Sequence, residues 1–303
     1  MKELYPMRGV ITTVNTPFNE DLTINWSDLR RTAEAALEAG VSGFLAPCFA
    51  SEIDELTNEE RYRMVTELLT VTHQAGHGIV MPNVRGKTKD DCVEQAKRYL
   101  DLGVDGVNIF MPTVTEESYR ELVAAVDELH PPFLCLQDTK DNELRAPFVK
   151  SMFDEFESFR CIKIETANPG PDYTAILKAT DGRLNVSGSW GSDQMIEAFD
   201  RGIHALMPSG LFELFVNVYR LYHEKSREAA MKLFFDILPI IVFTRQSDSA
   251  NLSLHKRYFQ RLGLYTTTKF RAPFAVDAVQ AHYIEEMIDR ALYIRDHMDR
   301  YWQ

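Results

Sequence analysis

The chain has 303 residues, 45% hydrophobic and 26% charged, enough for one large domain with an appendage or for two ordinary domains. A formal net charge of −12 argues against a nucleic-acid or anionic-membrane surface, and no apolar stretch is long enough to span a bilayer. Met1-Lys2-Glu3-Leu4-Tyr5-Pro6 has no signal-peptide core, and Cys48, Cys92, Cys135 and Cys161 form no CxxC pair, so reduced core thiols in a cytoplasmic protein are expected. His73 and His77 share a helical spacing without a third ligand, which reads as a solvated helix face and not as a metal site.

Along the chain, strand-like and helix-like segments alternate. Strand pattern at 9–14 precedes an amphipathic helix at 26–39; the next pairs are 43–46 with 58–74, 78–82 with 88–102, and 106–110 with 116–129. Then come 133–137 with 146–156, 159–165 with a helix near 172–179, 183–186 with 192–201, and 205–207 with 211–224. Gly40 and Gly103 follow helices and feed strands. Eight such units predict an α/β chain, a (β/α)8 TIM barrel over residues 1–224, with an open doubly wound sheet as the alternative. No glycine-rich dinucleotide fingerprint follows the first strand. Residues 225–303 lose the strand pattern and read as a C-terminal extension of three helices, at 229–243, 247–262 and 275–301.

The run Phe159-Arg160-Cys161-Ile162-Lys163-Ile164-Glu165 carries the most chemical information. Strand alternation puts Ile162 and Ile164 on one face and Cys161, Lys163 and Glu165 on the other. An ammonium and a carboxylate on one face of a buried strand are costly unless paired or used. One reading is a structural ion pair; the other is a lysine whose neutral amine attacks a carbonyl to form a Schiff base. In a barrel of this type the chemistry sits just after the strands, which points to 15–18, 47–56, 83–86, 111–113, 137–138, 163–166, 188–191 and 208–210.

Taken together these segments resemble the dihydrodipicolinate synthase / N-acetylneuraminate lyase family, pyruvate-type class I aldolases on a (β/α)8 barrel with helices after it. The resemblance rests on Gly9-Val10-Ile11-Thr12-Thr13 leading to Thr16-Pro17-Phe18, Glu52 with Leu56-Thr57-Asn58-Glu59-Glu60-Arg61, Pro112, Ile162-Lys163, Ser187-Gly188, and Gly202 leading to Ser209. It implies that Lys163 is the Schiff-base lysine. The family's carboxylate-holding Gly-Thr/Ser-Thr-Gly-Glu loop here reads Cys48-Phe49-Ala50-Ser51-Glu52; backbone N–H groups at Ala50 and Ser51, with the Ser51 hydroxyl, are the expected substitutes. The family's catalytic tyrosine aligns with Leu136, followed by Gln137 and Asp138; the second tyrosine position reads Thr113-Val114, and the synthase-type arginine falls near Asp141. Glu165 stands where the lyases usually carry a small hydroxyl residue.

These departures argue against dihydrodipicolinate synthesis. With Leu136 facing inward, Asp138 would reach the rim, so Lys163, Glu165 and Asp138 are the candidate catalytic residues, although Asp138 in Asp-Thr-Lys-Asp-Asn also reads as turn chemistry. Ala50, Ser51, Gln137, Gly188 and Ser209 are the candidate substrate contacts. Trp190 reads as a stacking surface or as packing, and Arg85 as a solvated charge with a distal carboxylate as the alternative. The expected function is a Schiff-base lyase acting on a small-molecule 2-oxo acid and releasing pyruvate, with no metal or organic cofactor. The alternatives are a 2-keto-3-deoxy sugar acid dehydratase or hydratase using the same lysine, and a family member that binds a keto acid without turnover. A homodimer or homotetramer is the expected assembly.

Overall fold

In the computed structural model of the chain, residues 2–110, 115–139, 144–189 and 193–303 are described. Nine parallel strands run β1 (Gly9–Thr13), β2 (Gly43–Leu45), β3 (Ile79–Met81), β4 (Asn83–Val84), β5 (Val107–Ile109), β6 (Leu134–Thr139), β7 (Phe159–Glu165), β8 (Asn185–Gly188) and β9 (Ala205–Leu206). Their order in the sheet is β3-β2-β1-β9-β8-β7-β6-β5-β4. β3 and β4 are halves of one barrel strand divided at Pro82, which has no N–H to give. β3 pairs with β2 and β4 with β5, and Asn108 N–H donates to the Pro82 carbonyl at 2.9 Å, so the ring closes through the divided strand. The fold is a TIM barrel with C-terminal helices.

The helices between strands are α1 (Trp26–Glu38), α2 (Asn58–Ala75), α3 (Lys89–Asp101), α4 (Glu116–Asp127), α5 (Ala146–Glu155), α6 (Pro169–Ala179), α7 (Met195–Asp200) and α8 (Phe212–Arg220). Their starts are chemically marked: Thr57 and Glu60 form a reciprocal capping box on α2, and Thr88 and Asp91 form one on α3. Gly40 and Gly103 take positive φ (99° and 85°) after α1 and α3, the conformation that ends a helix cheaply only at glycine. α6 begins at Pro169, earlier than the expected 172, because proline at the first helical position needs no N–H partner.

After a π-helical turn, Leu221–Lys225, the extension contains α9 (Arg227–Thr244), α10 (Asp248–Arg261), α11 (Ala278–Asp296) and a short α12 (Asp299–Trp302). The third expected helix is thus interrupted at His297, and a fourth short helix follows. The expected boundary at 224/225 lies in the π-helical turn. One hydrophobic cluster nevertheless runs from Val10 through Ile237 and Ile288 to Tyr301. No helix among the described residues is long and apolar enough to cross a membrane.

Two apolar layers follow from strand alternation. Ile11, Leu45, Met81, Cys135, Cys161, Ala205 and Met207 fill the barrel. Val10, Phe44, Val80, Ile109, Leu134, Leu136, Ile162, Ile164 and Val186 face the helices. All four cysteines are free and buried.

Candidate active site

A cavity of about 680 Å³ opens at the C-terminal ends of the strands. β1 contributes Thr13, β4 Asn83, β6 Gln137, β7 Lys163 and Glu165, and the segments after β8 and β9 contribute Ser189 and Ser209. The extension closes one wall with Ile241, the turn 244–248, Asn251, Leu252 and His255. As alternation required, Lys163 and Glu165 share the inner face of β7, while Ile162 and Ile164 face the helices.

The Lys163 ammonium lies 3.2 Å from Glu165 Oε2, with side-chain exposures of 6% and 18%. Glu165 is held by two more donors: Gln137 Nε2 at 2.5 Å to Oε2 and Ser189 Oγ at 2.8 Å to Oε1. Because Gln137 gives its amide N–H to Glu165, its Oε1 is free to accept from Asn108 Nδ2 at 2.9 Å. Asn108 also donates to Asn83 Oδ1. A continuous hydrogen-bonded row thus crosses the inner faces of β4, β5, β6 and β7 and ends on the carboxylate beside the amine. Such a row restricts Glu165 to one orientation.

The thiols around this row are not competing nucleophiles. Burial pushes the Cys135 thiol well above its ordinary value, and burial also raises Cys48, so both stay protonated at neutral pH. Burial holds the His255 imidazole down at about 3, so it is neutral as well. It packs against Gly210 (φ 57°), where an added Cβ would stand 2.2 Å from the ring. That close approach seats α10 directly on the loop that carries Ser209.

The dihydrodipicolinate synthetase family model matches residues 6–129. DapA-like lyases from Halobacterium salinarum and Thermococcus kodakarensis are 26% and 25% identical, over 74% and 75% of this chain and 75% and 80% of theirs. A dihydrodipicolinate synthase structure from Rhodopseudomonas palustris superposes with a TM-score of 0.87 at 21% identity, covering 96% of this chain and all of that one. A sialic acid aldolase from Ruminococcus gnavus superposes with a TM-score of 0.86 at 14% identity, covering 96% and 98%. The family model covers the first part of the barrel, and these similarities support the resemblance to the dihydrodipicolinate synthase / N-acetylneuraminate lyase family.

Several expectations drawn from the family pattern are corrected by side-chain direction. Leu136 belongs to the helix-facing layer, and the inward residue paired with Lys163 across the β6–β7 ladder is Gln137. Asp138 therefore also points away from the cavity; its Oδ1 accepts the Leu144 N–H at 2.7 Å, the turn role and not a catalytic one. Gly188 faces outward too, since a Cβ there would meet Tyr173, Ile203 and Leu206; the inward neighbour is Ser189. Ser51 is fully buried away from the cavity, its hydroxyl donating to the Val14 carbonyl at 2.6 Å and its N–H to the Cys48 carbonyl at 2.9 Å. The expected N–H pair for a carboxylate is thereby reduced to the Ala50 side, which does line the cavity. Ser209 lines it as well and shares a 2.6 Å hydrogen bond with Thr13 Oγ1.

Arg85 is not a solvated charge: it lines the cavity and is 24% exposed. Trp190, Pro112, Thr113, Val114 and Asp141 lie outside the described residues. Among the described residues no tyrosine lines the cavity. Sequence reasoning singled out the segments that hold Asn83 and Ser189 but not those residues, and it did not find Asn108. Their signal was parity: each is a polar residue in step with the inward face of its strand.

Proposed function

We propose that this protein is a Schiff-base-forming lyase of the class I aldolase type, acting on a 2-oxo acid and releasing pyruvate or a close relative. The observation that carries the reading is Lys163, buried at the cavity floor within 3.2 Å of a carboxylate fixed by two other donors. Glu165 accepts a proton from the Lys163 ammonium, and the neutral amine attacks C2 of the substrate. The same carboxyl group returns a proton to the departing hydroxyl, which leaves as water. Glu165, again a carboxylate, takes the proton of the substrate's C4 hydroxyl as the C3–C4 bond breaks; the iminium takes up that electron pair, an aldehyde leaves, and the enamine regains a proton at C3 and is hydrolysed. No metal or organic cofactor is needed, because the iminium is the electron sink. The hydroxyls of Thr13 and Ser209, with the Ala50 loop, receive the substrate carboxylate.

Gln137, and not a phenol, stands opposite Lys163, and a carboxamide does not relay protons at neutral pH. We therefore propose that the chain does not condense pyruvate with aspartate semialdehyde. The buried free thiols are compatible with a reducing, cytoplasmic setting. We also propose self-association, supported by the exposed Phe235 and Val242 on α9 and Val279 and Tyr283 on α11.

Product analysis with a 2-oxo acid panel tests the reaction. Carbon–carbon cleavage, with no dihydrodipicolinate from pyruvate and aspartate semialdehyde, is expected. Products that retain every carbon would assign a dehydratase or hydratase instead, and an imine without products would assign a binding protein.

A further inference from the structure

The hydrogen bonds that reach Glu165 have a direction, and that direction is set one residue further along the row. A carboxylate only accepts, so Gln137 must turn its amide N–H toward Glu165, as it does at 2.5 Å. Its Oε1 then faces Asn108 and needs a donor, which Asn108 Nδ2 supplies at 2.9 Å. The second hydrogen of the same Nδ2 goes to Asn83 Oδ1. Asn108 thus spends both amide hydrogens on the two flanking carboxamides. Its own Oδ1 is buried and accepts from no group among the described residues.

The opposite direction is not equivalent. With the Asn108 amide reversed, its oxygen would meet the oxygens of Asn83 and Gln137. Both of those amides would have to turn as well, and Gln137 would then set Oε1 against the Glu165 carboxylate, acceptor against acceptor. Asn108 is fully buried, does not line the cavity, and bonds to neither Lys163 nor Glu165. For packing alone an apolar side chain of similar shape would serve better, because it buries no polar atom.

We propose that Asn108 is a positioning residue for the Lys163–Glu165 pair: it locks Gln137 as a donor, and Gln137 with Ser189 then holds the carboxylate within reach of the amine. Asn108 acts only through Gln137. Its effect on imine formation rests on the Schiff-base reading of Lys163; the direction of the row does not.

Two mutant cycles test it. The first is kinetic. Asn108→Leu removes both donors and frees Gln137 to turn, so borohydride labelling of Lys163 at saturating pyruvate should slow roughly ten- to a hundredfold. Gln137→Leu should slow it at least as much, and adding Asn108→Leu to Gln137→Leu should slow it no further. A residue that acted by packing alone would slow both backgrounds equally. The second cycle reads the denaturant midpoint and needs no substrate. Asn108→Asp exchanges donors for acceptors at constant shape, so Gln137 turns to donate to position 108 and sets Oε1 against Glu165. Glu165→Gln supplies an amide that can donate to that oxygen. The double variant should therefore be more stable than the sum of the two single losses. That coupling should vanish in a Gln137→Leu background, where through-space repulsion would persist. A labelling rate unchanged by Asn108→Leu, a further fall on top of Gln137→Leu, additive midpoints, or a coupling that survives Gln137→Leu overturns the proposal. If Asn108→Asp does not fold, the kinetic cycle decides alone. If no 2-oxo acid labels the unaltered protein, the Schiff-base reading fails, and the midpoints still decide the row.

Discussion

Glu165 is the residue whose role differs most from a structural ion pair. A carboxylate that only neutralised Lys163 would need one contact, yet this one also receives Gln137 and Ser189 and sits at the end of a row that begins at Asn83. Glu165→Gln keeps the shape and removes the acid–base function. Turnover should fall roughly 10²–10⁴-fold, while borohydride labelling of Lys163 still reaches completion but more slowly, because Glu165 also serves imine formation. Unchanged turnover in a folded Glu165→Gln protein would contradict the acid–base role. The pairing of Lys163 and Glu165 on one face was legible in the sequence because β7 alternates apolar and polar residues. The inward direction of Gln137 was not. In Leu134-Cys135-Leu136-Gln137-Asp138 both faces are buried, the strand carries no clear apolar period, and a one-residue slip exchanges every side chain between faces. Gly188 and Ser189 were exchanged for the same reason.

Among the elements, α10 joins the extension to the barrel through a buried ion pair. Lys256 is buried and donates to Glu52 Oε1 at 2.6 Å and to the Lys269 carbonyl at 2.6 Å, between the rings of Phe18 and Phe270. Glu52 Oε2 accepts the N–H groups of Arg271 and Ala272 at 2.9 Å each, and Glu52 itself takes a left-handed φ of 56° right after the Ala50 loop. Lys256→Met would strand a buried carboxylate, at a cost of about 3–5 kcal/mol read as a lower denaturant midpoint. An unmoved midpoint would show that the pair contributes nothing net. His255, one residue earlier, gives a pH signature. Its folded pKa of about 3 lies below the ordinary 6.5, so the unfolded chain takes up a proton that the folded one refuses. Stability is therefore lost as pH falls from about 6.5 toward 3, by up to about 1.4 kcal/mol per pH unit. Burial lowers His204 to about 4, which adds a second such contribution. Denaturant unfolding between pH 5 and 6 should show a slope that shrinks by about one proton in His255→Gln; an identical slope would contradict a buried neutral imidazole. None of this was visible locally, since Glu52 lies 204 residues before Lys256 along the chain and Gly210 well before His255.

For the whole molecule, the eight strand–helix units and the all-helical C-terminus were read from periodicity alone. That succeeds because parallel strands buried on both faces and amphipathic helices leave strong patterns. What periodicity does not carry is the wall that the extension adds to the cavity, because that depends on tertiary docking. Self-association through the exposed faces of α9 and α11 should appear in light scattering as a dimer or tetramer at assay concentration, and a stable monomer would remove that expectation. The account as a whole stands on one covalent bond. Borohydride reduction in the presence of pyruvate or a longer 2-oxo acid, followed by peptide mass spectrometry, should place the added mass on Lys163 and lose it in Lys163→Ala. Labelling at another lysine, or at none with any 2-oxo acid, would contradict it.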